Sequence, residues 1–118
     1  MTDAALISAR VRSQFEFGSV WQDRDSISNY DGVVRAIIDS GPERPVYVEA
    51  VAACLTADNV VVRTGAIATL SYVGKEIGAE RLQRILRENL ALFRNVAPAE
   101  YLGSLDLEEA LERAIAAC

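Results

Sequence analysis

The chain has 118 residues, of which 51% are hydrophobic and 25% charged, and its 17 acidic and 12 basic side chains give a formal charge of −5. That length supports one domain with a buried core, and the composition excludes a disordered tail or a collagen-like chain. The acidic balance argues against nonspecific binding to nucleic acid or anionic membrane, and the absence of histidine removes the commonest general base and metal ligand near neutral pH.

The opening "MTDAALISARVRSQ" lacks the basic start and apolar core of a signal peptide, so a cytoplasmic protein is expected. No uncharged run approaches the roughly 20 apolar residues of a membrane span. A period of 3.6 predicts a first helix over about 3–15, with Leu6, Ile7 and Val11 on one side. A second, over about 29–40, aligns Tyr30, Val33, Val34, Ile37 and Ile38, and Gly41 and Pro42 stop it. Pro45 suits the first turn of a third helix running to about 56. Its apolar positions form two stripes, one through Val48, Val51, Ala52 and Leu55 and one through Tyr47, Val51 and Cys54, which predicts a central position.

The stretch "DNVVVRTGAIATL", residues 58–70, has poor helix propensity, yet Val62, Ala66, Thr69, Leu70, Val73 and Ile77 fall on one helical face. β-Branched residues cost only tenths of a kcal/mol each, and burial of a continuous apolar face outweighs that. A fourth helix is therefore expected, with Asp58 placed to cap it. Gly74 and Gly78 bracket "KEI" and predict a break before a fifth helix over about 79–95, with Leu82, Ile85, Leu86, Leu90 and Phe93 inward. Pro98 and Gly103 mark the next connection. The last helix, about 106–117, has Asp106 at its cap and Glu109 three residues on, with Leu107, Ala110, Leu111, Ala114 and Ile115 facing the core.

Six helices with short connections group as three antiparallel pairs, and "LTADNVVVRTGAIATLSYVG" resembles one unit of the HEAT repeat family. Leu55, Asp58, Val62, Arg63, Ala66, Leu70 and Val73 occupy the places of that pattern, and Asp31, Val34, Arg35 and Ile38 echo its start. The third pair, at "SLDLEEAL", has no Val-Arg at its start. The resemblance implies an all-α single domain over 1–118: three stacked antiparallel helical hairpins, as a short HEAT-like α-solenoid or a compact helical bundle. It also implies that Asp58 and Arg63 are structural, tying adjacent repeats. Independently of the family, small residues at Gly65, Ala66, Ala68 and Thr69 let a neighbouring helix approach closely.

The least core-like stretch is "WQDRDSISNYDG", residues 21–32. A calcium loop counted from Asp23 would put Ile27, Ser28 and Val34 at the fifth, sixth and twelfth places, where an EF-hand needs an oxygen ligand, Gly and Glu, so that reading fails. Trp21, Asp23, Asp25, Tyr30 and Asp31 instead have the composition of a contact surface for a basic protein; in the structural alternative the aromatics pack on the helices and the aspartates cap ends. Arg81, Arg84, Arg87 and Arg94 form a basic ridge interrupted by Glu80 and Glu88, which fits a solvated face that Glu108, Glu109 and Glu112 could neutralise. Cys54 and Cys118 have no metal or redox spacing.

Nothing in the sequence sets a nucleophile beside a base, and no cofactor is expected. The expected function is a noncatalytic protein-protein interaction module; in more specific form it is a bacterial immunity-type protein that neutralises a toxin. One alternative is a homodimeric structural subunit that self-associates through the last hairpin ending at Cys118. Another is a small enzyme, which would need convergent carboxylates in a deep pocket.

Overall fold

The computed structural model describes residues 3–17, 30–94 and 106–118. These form α1 (Ala4–Phe17), α2 (Tyr30–Asp39), a 3-10 turn (Gly41–Glu43), α3 (Arg44–Cys54), α4 (Val60–Ile77), α5 (Ala79–Glu88), the single turn α6 (Leu90–Phe93) and α7 (Leu107–Ala117). There is no strand among the described residues. The fold is all-α, a helical bundle.

The tri-valine segment is helical because its polar groups are satisfied locally and its apolar ones are buried. Asn59 Oδ1 accepts from the Val61 and Val62 amides at 2.8 and 3.3 Å. The Thr64 and Thr69 hydroxyls each donate to the carbonyl four residues back, at 2.8 Å. Val62, Ala66, Thr69, Leu70, Val73 and Ile77 are all buried. Asn59, rather than the expected Asp58, caps the helix. Arg63 explains the difference, since its Nη1 donates to the carbonyls of both Ala57 and Asp58 and holds those residues in the preceding turn.

The α1/α2, α3/α4 and α5/α7 pairs are in contact. α3 packs against α1 and α4, as its two apolar stripes require, but α4 is the hub, touching α1, α2, α3, α5 and α7. The smallest extent of the molecule, 23 Å, is about two helix diameters. α4 runs through Gly74 without a break and ends at Ile77. Only Gly78, at φ 94°, has the backbone that turns the chain into α5. The expected fifth helix is divided at Asn89, whose Nδ2 donates to Ile85 O at 3.0 Å and whose amide closes the last turn. The following turn points Phe93 into the core.

Leu6 and Ile38, expected inside, are 56% and 58% exposed. Each flanks a narrower buried stripe, Ile7–Val11–Phe15 on α1 and Val33–Ile37 on α2. Leu82, Leu107 and Leu111 are buried, and Ile85, Leu86, Ala110, Ala114 and Ile115 pack against the core. Asp106 Oδ1 accepts from the Glu109 amide at 3.2 Å, the expected cap.

α1 lies against α4 at Gly65, where a Cβ would lie 2.5 Å from Phe15 Cδ1. Gly65→Ala is therefore expected to cost about 1–3 kcal/mol in urea unfolding, although helix propensity alone would add about 1 kcal/mol of stability. A Cβ at Gly74 would meet nothing nearer than Leu70 Cβ at 3.7 Å. Gly74→Ala should then stabilise by roughly 0.5–1 kcal/mol, and equal losses at the two glycines would rule out the Phe15 contact as the cause.

Candidate functional site

α4 and α7 are in contact, and an open groove of about 700 Å³ is lined by residues of both. On the α4 side its wall is a helical stripe through Thr64, Ile67, Ala68, Ser71 and Lys75, with Tyr72 beside it. On the α7 side, Ala110, Arg113, Ala114, Ala117 and Cys118 follow the same spacing. The small side chains keep the cleft open. Ile67 and Leu70 contribute to its floor and belong to the core beneath it.

Tyr72 is 40% exposed at the rim and is held from outside the groove. The Arg44 guanidinium lies over its ring, 5.0 Å from the centroid, and Arg44 Nη1 donates to Tyr72 Oη at 3.5 Å. Arg44 also makes forked hydrogen bonds to Glu76 Oε1, the one from Nε at 2.9 Å. These bonds, first Glu76's and then Tyr72's, raise the Arg44 pKa further above its already high value. An aromatic ring clamped in this way loses little freedom on contact with a partner.

The other ion pairs brace the bundle. Arg81 makes a two-pronged contact with Glu49 at 2.7 and 2.9 Å, joining α5 to α3, and Arg94 Nε meets Glu108 Oε2 at 3.0 Å, joining the end of α6 to α7. The Arg81 hydrogen bonds hold the Glu49 carboxyl below its usual range against a smaller effect of burial. The basic ridge of α5 is thus tied to its neighbours partly through Arg81 and Arg94. These are exposed pairs worth at most about 1 kcal/mol each.

Of the residues expected to meet a partner, Trp21, Asp23 and Asp25 lie outside the described residues. Tyr30 and Asp31 form the first turn of α2, and their side chains also lie outside what is described. Sequence reasoning did not anticipate the groove or the Arg44–Tyr72–Glu76 cluster, although it did single out the last hairpin and Cys118 as a contact surface. The available signal was the spacing of Ala110, Ala114 and Ala117, an alanine stripe beside the leucine stripe of the same helix.

Among the described residues, no group of three or more His, Cys, Asp or Glu could hold a metal ion, and no helix is long and apolar enough to cross a membrane. In comparisons with known proteins, no family model, no curated protein and no solved structure matches the chain.

Arg63 is 4% exposed, and burial lowers its pKa against the opposing pull of Asp58. Its Nη1 bonds hold the α3–α4 turn, so Arg63→Ala should lower stability by about 1–3 kcal/mol in chemical denaturation by leaving the buried Ala57 carbonyl without its donor. Arg63→Lys should recover part of that, because both carbonyls accept from the single nitrogen Nη1, whose place a lysine ammonium on its differently shaped stem takes only approximately.

The cysteines are free and unlike each other. Cys54 is buried and its thiol is pushed up to about 11 by desolvation, with Arg12 opposing, whereas Cys118 is exposed. A thiol reagent at mildly alkaline pH should modify Cys118 in the native protein and Cys54 only after unfolding. Because the folded pKa is the higher one, the stability linked to the Cys54 proton is fully present below about pH 9 and is lost as pH rises toward about 11. Cys54→Ala should flatten that part of the alkaline unfolding profile.

Proposed function

We infer that this chain is a noncatalytic protein-binding module, a HEAT-like stack of three helix pairs that docks a protein partner in the groove between α4 and α7. The groove is the observation that carries the reading. It is lined mainly by apolar and small side chains, is open to solvent, and has a half-exposed tyrosine fixed at its edge. Such a surface suits a macromolecular ligand better than a small substrate that must be shielded from water. The order of contacts supports the stacked arrangement. α2, α4 and α7 are the second helices of successive pairs; α4 touches both of the others, and α1 touches α3. In repeat stacks one such row forms the inner, binding surface.

In its more specific form the module is a compact immunity-type protein that covers a toxin in the cytoplasm. Small size, the formal charge of −5 and the acidic-aromatic run at residues 21–31 support this form, since they suit a basic target. A second reading is self-association. Ala110, Ala114 and Ala117 would let a second copy's helix come close, and Cys118 sits at the end of the same face.

Co-expression with the products of adjoining genes, followed by co-purification and growth measurement, tests the first reading. The expected result is a stable complex with one of them and relief of its toxicity. Ser71→Trp fills the groove from an exposed position on α4 and should weaken that complex about tenfold or more while leaving the melting temperature within a few degrees. Light scattering over a wide concentration range separates the second reading, because a constant monomer mass removes it.

A further inference from the structure

Two charged side chains line the α4/α7 groove, Lys75 from α4 and Arg113 from α7, and both are cations. No acidic side chain is among the lining residues, although acidic residues outnumber basic ones by 17 to 12 in the whole chain. Lys75 is the single lysine of the sequence. Arg113 Nη2 is 2.6 Å from Glu109 Oε1, but both side chains are largely exposed, at 79% and 56%, and a ligand carboxylate can share or replace a contact of that kind. The charged side chains that line the groove are thus both positive on a negative protein, and Lys75 is the one that does not already meet a carboxylate on its own helix turn.

Its dimensions point to the form of the ligand. The α4 wall runs from Thr64 to Lys75, about 16 Å at the rise of an α-helix, or three turns. Ala68, Ser71, Ala114 and Ala117 along the walls are small enough for another helix to lie close. We propose that the groove binds an amphipathic helix of a partner protein with its apolar face over Ala68, Ala114 and Ala117, its edge against Tyr72, and flanking carboxylates paired with Lys75 and Arg113. This rests on the reading of the chain as a binding module and specifies the ligand of that same groove as acidic. The acidic run at residues 21–31, in contrast, suits a basic surface, so the two regions call for ligand segments of opposite sign.

The probe is a blocked synthetic helix of about three to four turns, with leucines at helical spacing and glutamates on both flanks. Two controls carry lysines in place of the glutamates or serines in place of the leucines. Fluorescence anisotropy with the full chain at low salt should show the glutamate peptide binding about tenfold or more tighter than the lysine peptide, with the serine peptide weaker than either. Added salt should narrow the gap between the two charged peptides. The double variant Lys75→Glu/Arg113→Glu should invert their order, and Ser71→Trp should weaken both, with circular dichroism showing each variant folded. Equal or tighter binding of the lysine peptide, or an order unchanged by the double variant, overturns the proposal. A dimer that Ser71→Trp dissociates and the glutamate peptide cannot displace also overturns it, by making a second copy the occupant. If the peptides fail while Ser71→Trp still abolishes the natural complex, the acidic ligand is wrong and the module reading stands; if Ser71→Trp leaves that complex intact, the groove itself is wrong.

Discussion

The bundle depends on how closely α1 can approach α4, and that is decided at Gly65. The Phe15 ring occupies the space a side chain there would fill and is fully buried by doing so. With α1 seated, α3 packs against both α1 and α4, and so does α2. Interiors are packed too densely for this spacing to relax by a fraction of an ångström at no cost. Once α1, α2, α3, α5 and α7 have taken their shares of the α4 surface, the stripe through Ala68 and Ser71 remains uncovered. The groove is therefore a consequence of the core, and its position follows from the same packing.

Most of the fold was legible in the periodicity of the sequence, because a helix that must bury a stripe repeats its apolar residues at a fixed interval. α4 illustrates why period outranked propensity: four valines and two threonines disfavour helix only slightly, whereas six aligned side chains all reach the interior. The ends were read less well. Asp58 and Asn59 are equally good caps in isolation, and the choice between them was made by Arg63, whose reach back to the turn is a tertiary fact. Gly74 and Gly78 look alike in sequence, yet one sits inside a continuous helix and the other at positive φ. Leu6 and Ile38 show the same limit in packing: periodicity gives the side of a helix, but the neighbours determine how wide a stripe they cover.

The candidate site was much less legible, because its parts are far apart in the chain. Arg44 and Glu76 are 32 residues apart, as are Glu49 and Arg81, and only the antiparallel run of α3 against α4 and the turn at Gly78 bring them into register. The clamp on Tyr72 could not be inferred from any local motif. The groove wall on α7 could have been suspected, since alanine is common in helices for propensity alone but its recurrence at positions 110, 114 and 117 leaves a strip with little bulk. What sequence cannot supply is whether a neighbour fills that strip, and here α4 meets only its lower edge.

Charge gives the sharpest contrast between composition and structure. A formal charge of −5 is a property of the whole surface, and at physiological ionic strength its influence fades over a Debye length of about 8 Å. A ligand lying in the groove would be nearer than that to Lys75 and Arg113, which line it, and apolar walls screen less than water does. Net charge therefore governs how a partner approaches from a distance, and the lining side chains govern which charge it must present on arrival. For this chain the two have opposite signs, so the acidic balance of the sequence, informative about solubility and long-range steering, does not fix the charge of whatever the groove holds.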